Sequence, residues 1–354
     1  MKTSLYNIGN ISTLVALTLA MLLSFGSCDS SIYESEGDCD VTYRLKFRYD
    51  LNLKWADAFA NEVKSVHLYA FDKDGVLVWQ KDEFVSPAHA EDYSVLLDLP
   101  AGEYRLLAWC GLRNELREES FTVPVAREGE TRIEELECQL SRLRDSDGAY
   151  SKKRLAPLFY GRLDVVLPSS EDGGEFTYTM LLTKDTNHIR VILQHLSGED
   201  VDVNKFVFRI EDENGLLGYD NEPLADEIIN YRPWQVRNSE AGIGKDGQRA
   251  IIYVKGAIAD FTVNRLMASR HDKMILTITN NEGEQVARIP VIQYALLAKD
   301  YYEEEYGHRM TPQELLDRED EYVLTLFLDK NDKWLESSIM IHSWRVVLDD
   351  VNIH

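Results

Sequence analysis

The chain has 354 residues, 44% of them hydrophobic and 28% charged, with a formal net charge of −23. That mixture belongs to a globular protein rather than a disordered one, and the length suits about two domains. So acidic a chain repels a phosphate backbone, which excludes nucleic acid as a partner.

The first element is a leader. Residues 11–23 are almost purely apolar, follow a short region carrying Lys2, and give way to Ser24-Phe25-Gly26-Ser27-Cys28. A basic start, an apolar middle and small residues at the cut make residues 1–27 a secretory signal peptide. Cys28, directly after a Gly-Ser pair, makes it a lipoprotein signal, with cleavage before Cys28 and a diacylglycerol on its thiol. An ordinary cleaved signal is the alternative; a spanning anchor would need roughly 20 apolar residues. Each buried methylene contributes roughly 0.8 kcal/mol, so two or more acyl chains hold where one does not. Residues 28–40, rich in Ser, Asp and Glu, read as a flexible spacer. An exported location permits one disulfide among Cys39, Cys110 and Cys138 and leaves one thiol over; spacing does not choose the pair.

Tyr43, Leu45, Phe47 and Tyr49 alternate with Arg44, Lys46 and Arg48, the period of a half-buried strand. Residues 55–62 suit one or two helical turns. Val66–Phe71, then Asp72-Lys73-Asp74-Gly75, then Val76–Trp79 form a hairpin, because Asp and Gly accept the positive φ of a tight turn. Gly75 comes too early for a calcium loop, whose glycine is the sixth residue. Tyr93–Leu99 and Tyr104–Trp109, joined through Pro100-Ala101-Gly102-Glu103, read as a second hairpin. Phe121–Val125, Leu136–Leu143 and Leu163–Leu167 add short strands or a brief helix, and such close spacing indicates a β-sandwich.

Pro168–Gly174 reads as a linker, after which the opening grammar returns: Ile189, Val191 and Leu193 alternate, a polar gap follows, then Phe206–Ile210 and the turn Asp212-Glu213-Asn214-Gly215. Two related sandwich domains are therefore expected, 41–168 and 175–354. Met274–Thr279 with Asn280-Asn281-Glu282-Gly283 starts a further hairpin. Thr311-Pro312-Gln313-Glu314 is a capping box opening a helix whose buried face is Leu315 and Leu316. Tyr322, Leu324, Leu326 and Leu328 mark a strand, and Trp344, Val346 and Leu348 the last one.

Catalytic chemistry is hard to find. There is no Gly-x-Ser-x-Gly, no His-Glu-x-x-His and no glycine-rich phosphate loop. His188 and His195 are too far apart on a strand to share a metal, and no Cys/His grouping suggests one. The expectation is no catalytic residues, no metal, no cofactor and no enzyme. Trp109 and Trp344 lie within apolar strands and read as core; Trp55 and Trp234 lie in loops and are the candidates for a sugar-stacking surface.

Several segments carry a resemblance in the right order along the chain. They are the signal ending at Cys28, Val66-x-Leu68-Tyr69-x-Phe71-Asp72-x-Asp74-Gly75, and Leu97-Asp98-Leu99-Pro100-x-Gly102-x-Tyr104-x-Leu106-x-Ala108-Trp109. In the second half come Arg265-Leu266, Gln313-Glu314-x-Leu316-Asp317-Arg318-Glu319 and Ile339-x-Ile341-x-x-Trp344. Together they resemble the FimB family, the fimbrial anchor lipoproteins of Bacteroidales; Cys110-Gly111 departs from the small residue that relatives often carry before the glycine. The resemblance implies an all-β fold of two tandem transthyretin-like β-sandwich domains with short helical insertions. It also implies a place in the outer membrane at the base of a pilus, with fimbrial shaft subunits as partners joined by strand complementation. A surface glycan-binding lipoprotein is the alternative.

Overall fold

The computed structural model describes residues 41–113, 120–169, 173–244, 251–341 and 344–347. The expected leader, Cys28, the spacer 28–40 and Cys39 lie outside the described residues, as does Leu348. The chain divides into a small compact unit, Met1–Thr42 with Ser169–Phe176, and a large one, Tyr43–Pro168 with Thr177–His354. The architecture below is that of the large unit.

The first half holds β1 (Val41–Arg48), α1 (Phe59–Glu62), β2 (Ser65–Phe71), β3 (Leu77–Phe84), β4 (Ser94–Leu97) and β5 (Gly102–Cys110). The short strands β6 (Phe121–Thr122), β7 (Cys138–Leu140), β8 (Leu143–Asp145) and β9 (Gly148–Ser151) follow, then the long β10 (Phe159–Leu167) and β11 (Gly174–Lys184). The second half holds β12 (Asn187–His195), β13 (Phe206–Asp212), β14 (Leu216–Leu217), β15 (Ile229–Tyr231), β16 (Gln235–Gly244), β17 (Ile251–Val263), β18 (Ile275–Asn280) and β19 (Gln285–Pro290). Three helices come next, α2 (Val291–Leu296), α3 (Lys299–Tyr306) and α4 (Pro312–Arg318), then β20 (Glu321–Leu328), β21 (Trp334–Ile341) and β22 (Trp344–Val347).

These strands form an all-β protein of four sheets. The first has seven strands in the order β3-β2-β5-β10-β11-β1-β4, the second six in the order β16-β17-β12-β20-β21-β22, and the third six in the order β19-β18-β13-β15-β9-β8. A short one runs β14-β7-β6. The β2–β3 hairpin is as expected: Asp72 Oδ1 accepts from the Asp74 and Val76 amides at 2.9 Å each, and Gly75 turns the chain at φ 78.

The second expected hairpin is corrected. Both strands form, but β4 pairs with β1, and β5 lies between β2 and β10. Leu106, Leu107, Ala108, Trp109 and Cys110 are all fully buried, so both faces of the end of β5 need cover that a hairpin edge would not supply. Leu97 to Gly102 spans at most about 17 Å, while four strand spacings in a flat sheet come to about 19 Å. The seven-stranded sheet therefore curls over on itself.

The linker reading of 168–174 is corrected as well. β10 and β11 are antiparallel neighbours, with Phe159 opposite Lys184 and Gly161 opposite Leu182, so this polar stretch closes a hairpin. The change from the first sheet to the second comes at Asp185-Thr186, between β11 and β12. Strands from both halves also share sheets, since β9 pairs in parallel with β15 and β7 pairs with β14. One continuous apolar core runs from Phe71, Trp109 and Phe121 to Ile189, Phe208, Phe261 and Leu324. α4 begins at the expected cap, with the Thr311 hydroxyl accepting the Glu314 amide at 3.0 Å and Leu315 and Leu316 buried, but the Glu314 carboxylate turns to Arg318 at 2.9 Å and does not complete the capping box.

Gly111, just past β5, stands at φ 89, and a Cβ there would lie 2.0 Å from the Pro157 carbonyl oxygen. Gly111→Ala is therefore expected to lose at least about 2 kcal/mol of stability, measurable by denaturant unfolding; a change within a few tenths would show that the close approach does not constrain this turn.

Candidate interaction surfaces

β1 is an interior strand. Its alternating Tyr43, Leu45 and Phe47 side chains and Tyr49 just past its end are all buried, the last two against aromatic neighbours: Phe47 lies 5.7 Å from Phe59 and 6.0 Å from Tyr93, and Tyr49 lies 5.0 Å from Phe159. β11 takes one edge of β1 and β4 the other. At about 1.5–3 kcal/mol for each large apolar side chain, burying these four contributes on the order of 6–12 kcal/mol. That rivals the 5–15 kcal/mol that holds a whole domain together.

The passage from the first sheet to the second is a buried polar junction. Asp185 is fully buried and accepts from Arg265 Nη1 at 3.1 Å and Asn221 Nδ2 at 2.8 Å. Arg265 also reaches Asp317 of α4 at 3.1 Å. Next to it Lys184 bonds Glu62 at 2.8 Å and also Asp320. Burial pushes the Asp185 carboxyl up to about 8, against the pull of Arg265. It likewise pushes Glu319, which accepts from the Tyr302 hydroxyl at 3.0 Å, up to about 7.

Two further clusters face solvent more openly. Asp260, buried under the outer face of β17, bonds Arg190 and Arg237 at 2.7 Å each. Burial pulls its carboxyl up, but the two guanidiniums outweigh that and hold it below the usual range. A cavity of about 460 Å³ lies beside β2 and β3, walled by His67, Asp82, Arg113, Phe121 and Val125. His67 Nε2 sits 3.1 Å from Asp82, which also pairs with Arg113; burial nevertheless holds the imidazole below its ordinary value.

The residues singled out in the sequence are dispersed. Cys110 and Cys138 are free, buried thiols, and burial pushes both pKa values up. Trp109 is core, as expected. Trp55 is 40% exposed at φ 53, with the Arg318 guanidinium 3.7 Å from its ring and His308 at 5.0 Å. Trp234 is half-buried between His188 and Arg154. His188 and His195 have separate partners, Asp260 at 3.4 Å and Asp332 at 3.1 Å. Among the described residues no group of His, Cys, Asp and Glu is arranged to hold a metal, and no helix is long and apolar enough to cross a membrane. Asp185 and Asp260 carry no signal in the sequence beyond an acidic residue just before β12 and another within β17. Arg265 and Asp317 belong to matching segments of the sequence, without a role.

The family model of the fimbrillin-A associated anchor proteins Mfa1 and Mfa2 matches residues 35–350. The chain belongs to this family of fimbrial anchor proteins. It is similar to the minor fimbrium anchoring subunit Mfa2 of Porphyromonas gingivalis, at 23% identity over 80% of each chain. Among solved structures it is similar to a candidate adhesin of Bacteroides thetaiotaomicron, with 31% identity and a TM-score of 0.75 over 89% of this chain and 100% of that one. A candidate polysaccharide-binding protein of the same organism aligns at 28% identity and a TM-score of 0.72, over 88% and 99%. The fimbrial anchor protein Mfa2 of P. gingivalis shares the fold at 18% identity and a TM-score of 0.61, over 88% and 100%. Membership makes this a structural fimbrial protein of a family that is not enzymatic.

Glu319 gives a pH prediction. An unfolded glutamate loses its proton near 4.3, whereas folded Glu319 keeps it to about 7. Between those values the folded state binds the extra proton, so this contribution is present in full at low pH and is lost as pH rises through about 7. Relative to Glu319→Gln, the wild type should lose stability on the order of 1 kcal/mol per pH unit across that window. Parallel pH curves of the two proteins in chemical denaturation would contradict it.

Proposed function

We propose that this chain anchors a fimbria to the outer membrane. In this reading the leader is cut before Cys28, acyl chains on Cys28 hold the mature protein in the membrane, and residues 29–40 tether the fold, reaching at most about 40 Å when extended. The folded part receives an extended segment of a shaft subunit as an added strand. Main-chain hydrogen bonds then give strength, and alternate side chains in pockets give specificity. The observation that carries the reading is β1: paired on both edges and buried on its apolar face, it stays in its own sheet, so the chain can accept a neighbour's strand without giving up its own.

A second reading, a glycan-binding surface lipoprotein, draws on Trp55, an exposed tryptophan held at positive φ, a conformation that costs about 1–3 kcal/mol and tends to persist at functional sites. The similar candidate polysaccharide-binding protein lends it weight.

A tagged chain expressed in its native host, extracted in mild detergent and analysed by mass spectrometry should bring shaft subunits with it. Cys28→Ala should release fimbriae into the medium while the folded chain still retains those subunits. Recovery of glycan-uptake receptors without any pilin would overturn the anchor reading in favour of the second.

A further inference from the structure

β13 is paired along only part of one side. β18 runs beside nearly all of it, from Phe206 opposite Asn280 to Glu211 opposite Ile275. On the other side β15 covers only Ile210–Asp212 and then leaves through Arg232-Pro233-Trp234 to become β16 in another sheet. Among the described residues no strand or isolated bridge takes the place it vacates along Phe206–Arg209. Asn238 of β16 fixes the near end by accepting the Val203 amide at 3.0 Å.

The vacancy is a slot of about 370 Å³. Phe206 and Phe208 line it from β13, and Trp234 and Val236 from the departing chain. Val207 and Val236 are 51% and 43% exposed, although both sit on strands. Apart from Pro233, the remaining lining is cationic. Lys152, Arg209 and Arg232 belong to it, and Arg154, outside the lining, lies over the Trp234 ring at 5.4 Å. Asp145 and Asp147 already pair with Arg232 and Arg209. Lys152 and Arg154 are exposed and have no carboxylate partner among the described residues, an unusual provision in a chain of net charge −23.

An unpaired main-chain edge is a template for an added strand, exposed valines beside it supply apolar contacts, and uncompensated cations select the sign of the incoming side chains. We propose that this slot seats an extended, acidic segment of a partner subunit, added as a strand along Phe206–Arg209 with its carboxylates at Lys152 and Arg154. The identity of that partner as a fimbrial subunit rests on the anchor reading; the slot's preference for an acidic strand does not.

The test uses a short synthetic peptide alternating valine with glutamate, and a control alternating valine with lysine, added to the folded mature chain. Hydrogen exchange should show the glutamate peptide protecting the slot-facing amides of Phe206–Arg209. The double variant Lys152→Glu, Arg154→Glu, altered only at exposed positions, should bind it at least tenfold more weakly with an unchanged melting temperature. Absence of protection at those amides, or equal binding of the lysine peptide, overturns the proposal. Shaft subunits retained by the double variant as well as by the wild type would remove the slot as their seat and leave the anchor reading intact. If the wild type retains none, the anchor reading falls, and the peptide result alone decides whether the slot takes an acidic strand.

Discussion

The structure turns on the carboxyl group of Asp185. It sits fully buried where the chain leaves the first sheet for the second, and it can be there only because Arg265 and Asn221 come to meet it. Removing the donor to a buried polar group leaves its desolvation cost unmet, about 1–3 kcal/mol, which is why such groups fix an arrangement even when they add little net stability. Arg265 follows β17 and also holds Asp317 on α4, so one guanidinium ties the sheet change to the helical insertion. Lys184, bonded to Glu62 and Asp320, and Arg318, bonded to the Asp50 and Asn52 carbonyls, carry the same connection to the loop after β1.

That junction makes β1 hard to displace. β1 ends at Arg48, and the loop that follows is clamped by Arg318 while its strand is held on both edges and through its buried aromatic face. A strand exchanged between subunits must leave its sheet at tolerable cost. Here the burial of four large apolar side chains alone makes that cost on the order of 6–12 kcal/mol.

Much of the fold was legible in the sequence. Local signals carried it: the period-two alternation of β1, β12 and β20, the Asp/Gly turn between β2 and β3, and the Thr311 cap of α4. Strand pairing was less legible, because pairing is decided by burial on both faces and not by adjacency. The apolar end of β5 shows it, drawn to the sheet interior away from the strand just before it in sequence. The polar stretch at 168–174 read as a linker because hairpin loops and domain linkers share a composition. Of the interaction surfaces, the sequence pointed to Trp55 and to Trp234 of the slot beside β13, but not to the slot itself, which exists only because β15 leaves its sheet three residues after joining it. The buried Asp185 and Asp260 were illegible for the same reason: a single acidic letter looks alike in a loop and in a core.

As the proposed anchor, this chain closes one end of a fimbria at the membrane. Immunogold labelling of intact fimbriated cells, with an antibody to the folded region, tests it most directly. Label is expected at the cell-proximal end of each fimbria and none along the shaft. Label distributed along the shaft, or on cells but away from the base of fimbriae, would contradict it.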